Sequence, residues 1–287
     1  MKIGIIGAGK VGFSLGKLFE NGGVSLSGYY SRSRESADEA AAFTGSRHYG
    51  SLEDIVHDSG ALFLTVPDGA IGGVWRSLCG FDLHGKYVCH CSGALSAGEA
   101  FPGAADMGAR ALSVHPLFPV SDKYNAYKEL RGAYFCLEGD EGGVELFGSM
   151  LGELGVNVQT IPPDGKARYH AGCVMASNFI CALTQESVDL LVSCGFTQDG
   201  ALRALAPLMR NNLEHIIAKG PVEALTGPVE RNDAGTLRRH LANIDLPERR
   251  MLYKLLSARL SALAKQRHPE KDYSEIDSLT KIKYGSD

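Results

Sequence analysis

Three groups of residues in this 287-residue chain have types and spacing that chemistry can use. The first is the turn Gly7-Ala8-Gly9-Lys10-Val11-Gly12. In a G-x-G-x-x-G turn the first glycine permits a tight bend and the second lets a pyrophosphate reach the backbone. The third lets the following helix pack closely on its strand. The helix N-terminus adds unpaired N–H groups and partial positive charge. Glycine triplets occur by chance, but this one follows a strand-like run and opens a helix-like one, with a second strand at the right distance. That second strand ends in Tyr30-Ser31-Arg32-Ser33-Arg34. A carboxylate at this place would hold a ribose 2′-hydroxyl and repel a 2′-phosphate, whereas Ser31 can hydrogen-bond the phosphate and Arg32 or Arg34 can pair with it. The expected cofactor is therefore NADP; the plainer alternative leaves both arginines solvated.

The second group lies at the ends of later strands, where folds of this kind collect ligand contacts. Val66 and Pro67, in Thr65-Val66-Pro67-Asp68, are candidates for main-chain contact with the nicotinamide ribose. Ser92, in His90-Cys91-Ser92-Gly93-Ala94, is a further cofactor candidate. His115, in Ser113-Val114-His115-Pro116, is either catalytic or a structural histidine beside a proline.

The third group is helical. Lys166 and His170 lie at i and i+4 and project from nearly one face. Asn178 comes eight positions after His170, about 80° away around a continuous helix. Imidazole titrates near neutrality, so His170 is the better proton donor. Lys166 would stabilise developing alkoxide charge, and Asn178 would orient a carbonyl or amide. The bland alternatives are a lysine solvating the helix start and an asparagine satisfying a buried backbone group. Arg231 follows Thr226-Gly227-Pro228 and precedes Asn232-Asp233, so it lies in a loop. It would clamp a substrate carboxylate or pair with Asp233.

These residues need particular elements to position them. Lys2 to Ile6, Val24 to Tyr30, Ala61 to Val66, Lys86 to His90, Ala111 to Val114, Ala133 to Leu137 and Asn157 to Ile161 read as strands. Helical patterns lie between many of them, with Val11, Leu15, Leu18 and Phe19 on one face of the first. Such alternation predicts an α/β Rossmann domain, a mostly parallel doubly wound sheet, over residues 1–162. Pro162-Pro163-Asp164-Gly165 breaks the pattern, and residues 163–287 read as an all-helical substrate and dimerisation domain. Lys166 to Cys194 is apolar nearly all round, as in a helix buried on most sides. Gln198 to Lys219 follows with an interruption near Pro207, then Ala234 to Asn243 and Pro247 to Lys265. The polar tail from His268 to Asp287 is expected to be partly mobile.

Bulk properties exclude several classes. With 29 Lys and Arg against 33 Asp and Glu the net charge is −4, so no basic stripe offers itself to nucleic acid. The longest apolar stretch, Ala171 to Leu183, falls short of the ~20 residues needed to cross a bilayer. No signal-peptide pattern is present, and a soluble cytosolic protein acting on a small molecule is expected. Seven scattered cysteines argue against a disulfide framework. Cys89-x-Cys91 has no second pair at zinc spacing, so no metal is expected.

Together these motifs resemble a two-domain family of proposed NADP oxidoreductases. There a Rossmann domain precedes a helical domain of unknown function related to the C-terminal parts of 6-phosphogluconate dehydrogenase and pyrroline-5-carboxylate reductase. The resemblance spans nearly the whole chain. Besides the glycine turn, Ser31-Arg32 and Val66-Pro67-Asp68, it rests on Cys91-Ser92-Gly93-Ala94-Leu95-Ser96, His115-Pro116-Leu117, Tyr169-His170-Ala171 with Ala176-Ser177-Asn178, and Thr226 to Asp233, similar to the element T-G-P-x-x-R-x-D. It implies a homodimer with its active cleft between the domains. Related β-hydroxyacid dehydrogenases carry Lys and Asn where this chain has Lys166 and His170, a departure at the acid–base position. The expected function is NADP(H)-dependent hydride transfer to or from a small carbonyl, imine or hydroxy compound. Alternatives are a non-catalytic NADP-binding sensor or scaffold, and a prephenate-type dehydrogenase.

Overall fold

The computed structural model describes residues 1–282. Ile3–Ile6 (β1) leads through the glycine turn into Lys10–Asn21 (α1), then Leu26–Tyr30 (β2), Arg34–Thr44 (α2), Arg47–His48 (β3), Leu52–Asp58 (α3) and Ala61–Leu64 (β4). Asp68–Leu78 (α4), Tyr87–His90 (β5), Ala97–Ala100 (α5), Arg110–Leu117 (β6) and Ala126–Glu129 (α6) follow. Tyr134–Gly139 (β7), Glu141–Glu153 (α7), Asn157–Thr160 (β8) and Lys166–Ala176 (α8) complete the first compact unit, Met1–Ser177. The eight strands form one sheet in the order β3-β2-β1-β4-β5-β6-β7-β8, and every neighbouring pair is parallel except β6 with β7. This is the mostly parallel, helix-covered sheet expected from the alternation of strand and helix patterns.

Burial on both faces explains the near-continuous apolar strands. Along β4, Ala61 and Phe63 point into one core with Phe13, Phe19 and Phe147, while Leu62 and Leu64 point into the other with Ile55, Trp75 and Phe101. Side chains alternate across a strand, so four consecutive apolar residues fill two cores. The short elements β3, α5 and α6 carry too few residues for periodicity to reveal them.

The second unit begins at Asn178. It holds Asn178–Ser193 (α9), Gln198–Ala224 (α10), Ala234–Asn243 (α11), Pro247–Arg267 (α12) and Ser274–Thr280 (α13). Three expectations change here. The stretch Lys166 to Cys194 is two helices, parted at Ser177 (φ −127°, ψ −75°), whose hydroxyl donates to the Cys173 carbonyl at 2.7 Å. Such back-bonding bends or ends helices. Nor is this stretch enclosed: in α8 only Lys166 is buried, and in α9 only Val188. Pro207 sits inside α10 without stopping it; the break comes at Gly220 (φ 79°), before Pro221. A residue preceding proline is disfavoured in helical geometry, and glycine takes the positive φ.

The polar tail is also more folded than expected. Tyr273 and Ile276 are buried with Leu225, Val229 and Leu237, and α13 packs on α12. Residues 283–287, the end of that tail, lie outside the described residues.

Candidate functional site

β1 ends in Gly7, whose φ of 112° few other residues adopt. Its N–H donates to the Tyr30 carbonyl at 2.8 Å, and its own carbonyl accepts from Thr65 Oγ1 at 2.7 Å. A Cβ on Gly12 would lie 2.4 Å from the Gly7 oxygen, so the third glycine is needed for α1 to sit against the turn. A Cβ on Gly9 would meet nothing within 4 Å: the second glycine faces open space. The start of α1 has no side-chain cap and no acid in its first turn. Over these groups lies a cavity of about 660 Å³ lined by Gly7, Ala8, Gly9, Ser31, Arg32, Val66 and Pro67. It sits beyond the C-terminal ends of β1, β2 and β4, where the strand order reverses between β1 and β4. Ligands bind such sheets at that switch point. Small residues, free helix N–H groups and one exposed cation fit an anionic dinucleotide. Arg34 pairs with Asp38 at 3.6 Å, whereas Arg32 has no carboxylate in ion-pair range among the described residues.

A second cluster joins β6 to α8. Ser113 and His115 occupy alternate positions on β6, hence one face, and Lys166 and Tyr169 lie one turn apart on α8. Lys166 Nζ donates to Ser113 Oγ at 2.6 Å, and His115 Nδ1 lies 2.8 Å from Tyr169 Oη. Lys166 is only 2% exposed, and burial lowers its pKa. Burial, the Lys166 charge and His170 together push His115 down to about 4. His90, fully buried across from Ser113 on β5, falls to about 3 for the first two of these reasons. Its Nδ1 accepts the Ser92 N–H at 3.1 Å, which leaves its proton on Nε2. Glu138, opposite Ser113 on β7, is buried and accepts the Ala97 N–H at 2.8 Å; burial raises its pKa. Among the described residues, His90 Nε2 and His170 Nδ1 are buried with no hydrogen-bond partner. A Cβ on Gly93 would lie 2.5 Å from that His170 nitrogen and 3.0 Å from His115 Nε2, so only glycine lets both rings come this close.

Comparison with known families matches residues 1–116 to the model described as a Rossmann-like domain. Residues 133–260 match the one described as a domain of unknown function, DUF2520. The chain joins a Rossmann-like domain to a DUF2520 domain. Among solved structures it is similar to protein TM1727 of Thermotoga maritima, at 26% identity and TM-score 0.75, over 93% of this chain and 99% of that one. BF3122 of Bacteroides fragilis, described as a candidate NADP oxidoreductase, shares 20% identity with TM-score 0.65, over 91% of this chain and 98% of that one. A reductive aminase of Aspergillus terreus, in complex with NADPH and ethyl-5-oxohexanoate, shares 14% with TM-score 0.60, over 97% and 90%. The last two likenesses establish a shared fold. No curated protein matches.

The DUF2520 match begins at β7, so it takes in the end of the sheet as well as α8 to α11 and the first part of α12. Within the Rossmann-like domain, Lys10 is exposed, Val11 packs on the core and Gly12 is buried; none of the three lines the cavity. Ser92 also lies off its wall. Only 3% exposed, Ser92 donates to Asp68 Oδ2 at 2.8 Å and accepts from the N–H groups of Ala94 and Leu95 at 3.1 and 3.2 Å. It follows the end of β5, but its hydroxyl is spent on shaping its own loop. Asn178 opens α9 in the second unit, and the break at Ser177 removes the helical phase that related it to His170. Arg231 is exposed in its loop, and Asp233 does not pair with it: that carboxylate caps α11 through the Thr236 N–H at 2.9 Å. Sequence reasoning gave no role to Ser113, Tyr169, His90, Gly93 or Glu138. The i, i+3 spacing of Lys166 and Tyr169 was a usable signal; the strand pairing that brings Glu138 under Ser113 was not.

Among the described residues no three of His, Cys, Asp and Glu are arranged to hold a metal ion, and all seven cysteines are free. No described helix is long and apolar enough to cross a membrane.

Proposed function

We propose that this chain is an NADP(H)-dependent oxidoreductase acting on a small carbonyl, imine or hydroxy compound. The observation that carries the reading is the cavity at the β1/β4 switch point, with Gly9 open to it and Arg32 unpaired on its wall. Ser31 and Arg32 would bind a 2′-phosphate, and the start of α1 would bind the pyrophosphate. Val66 and Pro67 would flank the nicotinamide ribose. The NADP in the description of BF3122 and the NADPH bound to the reductive aminase support this reading. When bound, the cofactor supplies or takes up a hydride.

This chain's own residues manage the proton. His170 gives it to, or takes it from, the reacting heteroatom, and His115, held neutral, offers that atom an N–H, since both imidazoles lie beside Gly93 near the end of β5. Lys166 lies too deep to touch a ligand without movement, so its charge acts through space, holding His115 neutral. The assembly is a homodimer, for which α9 and α10 supply an apolar groove of about 490 Å³ lined by Ile180, Leu183, Leu208 and Leu213.

Titration of the purified chain with NADPH and NADH tests the cofactor, and a screen of carbonyls, imines and alcohols following NADPH absorbance tests the chemistry. NADPH should bind at least tenfold more tightly. Equal affinities would end the NADP reading, and tight binding without turnover on any class would point to the sensor instead.

A further inference from the structure

The pair formed by Tyr169 and His115 does more than join α8 to β6. We propose that Tyr169 is a positioning residue for His115, donating its hydroxyl hydrogen to Nδ1 and so fixing the imidazole proton on Nε2, beside Gly93 and His170. The inference rests on the proposed function for its consequence, but its geometry stands apart from the cofactor cavity.

The polarity of the hydrogen bond follows from the neighbours. The two atoms are 2.8 Å apart, with the rings nearly perpendicular at 82°. A neutral imidazole has one N–H and one lone pair, so the partner of Nδ1 decides which nitrogen is which. The titratable groups around the His115–Tyr169 pair are His90 from β5, Cys136 across from His115 on β7, and Lys166, His170 and Cys173 from α8. Lys166 and His170 oppose a second positive charge, and no carboxylate among the described residues pairs with the ring. His115 is thus neutral at pH 7. Burial and the thiols of Cys136 and Cys173 raise the Tyr169 pKa, which keeps the phenol protonated. A thiol is a weak hydrogen-bond partner, so the phenol hydrogen goes to the imidazole lone pair.

What this leaves is directional. His115 Nε2 makes no hydrogen bond among the described residues and is not enclosed like His170 Nδ1. It is an N–H donor beside Gly93, 3.0 Å from where a Cβ on that residue would lie. A neutral donor stabilises charge developing on a heteroatom without carrying a fixed charge of its own. Tyr169 touches no reacting atom in this scheme; it sets the tautomer of the residue that does.

The test is nitrogen NMR on the full chain labelled with 15N-histidine, with and without NADPH, the His115 signals being assigned by their loss in His115→Gln. The wild type should show an unprotonated, hydrogen-bonded Nδ1 and a protonated Nε2 down to well below pH 6. In Tyr169→Phe the His115 midpoint should rise by about one pH unit, because the donor that favoured the neutral ring is gone. Tyr169→Gln, which restores a donor, should bring the midpoint back and also serves should the Phe variant fold poorly. A wild-type proton on Nδ1, or a midpoint that Tyr169→Phe leaves in place, overturns the proposal. Neither outcome depends on cofactor affinity, so loss of the NADP reading would be recognised separately in the NADPH titration. Where turnover is found, Tyr169→Phe should lower kcat about tenfold and leave the cofactor KM unchanged.

Discussion

The two candidate regions of the first compact unit are built on opposite plans. The cavity over β1, β2 and β4 is open, made of glycines, backbone N–H groups and one unpaired arginine. The β6–α8 cluster is closed, made of titratable side chains whose protonation burial has shifted. A binding surface for a polyanion needs approach and donors that are already oriented, which small residues and a helix end provide. A site that handles a proton needs groups held in one protonation state, which burial and a neighbouring charge provide. The contrast separates what recognises from what reacts.

The largest expected effect tests whether the glycines divide their work as the cavity implies. Gly12→Ala drives a Cβ to 2.4 Å from the Gly7 carbonyl and 2.7 Å from Thr65 Oγ1. It should lower both thermal stability and NADPH affinity, the latter by about 100-fold or more. Gly9→Ala meets no protein atom, so it should weaken NADPH binding while leaving the melting temperature within about 2 °C of wild type. If both variants lose stability equally, the open position is not reserved for a ligand.

That cavity was legible in the sequence because its parts are local. Gly7 to Gly9 and Ser31-Arg32 are read from neighbours in the chain, and Val66 and Pro67 from the end of an apolar run. The cluster was only half legible. Lys166 and His170 announced themselves by helical spacing, and His115 by its place after a strand. Glu138, Ser113 and His90 meet only because β5, β6 and β7 pair in one register, with the β6–β7 pair antiparallel. No spacing within the chain encodes that pairing. Asn178 shows the converse error: a phase computed along one helix fails when a serine hydroxyl ends the helix.

The next effect belongs to the closed region and concerns pH. His90 titrates at about 3 when folded against an ordinary 6.5. Between these values the unfolded chain binds a proton that the folded chain refuses, so stability falls as pH falls through that window. Between pH 7 and pH 4.5 His90 alone should remove about 2.5 kcal/mol, and His115, whose window runs from 6.5 down to about 4, should add a similar loss. Urea unfolding at pH 7 and pH 4.5 measures the drop, and His90→Gln should remove about half of it. An equally steep fall in that variant would place the acid sensitivity elsewhere.

In the open region, Arg32→Ala should reduce the preference for NADPH over NADH by about 10- to 100-fold without changing stability. Arg34→Ala should do far less, because Asp38 already holds Arg34. A larger effect from Arg34 would reverse the assignment of the two cations.

The smallest effect sharpens the comparison most, because it asks whether the buried cation serves the fold or the site. Lys166 has one neutral partner in range, Ser113, and no carboxylate within ion-pair distance among the described residues. Its ammonium therefore gains little attraction to offset lost hydration. Lys166→Met fills a similar volume without the charge and should change stability by less than about 1 kcal/mol, in either direction. The same substitution removes a positive charge that holds His115 down, so the His115 midpoint should rise. A lysine kept for packing would give the opposite result: a clear loss of stability with the imidazole unmoved. Only a lysine kept for its field leaves the fold intact and shifts the ring that Tyr169 holds.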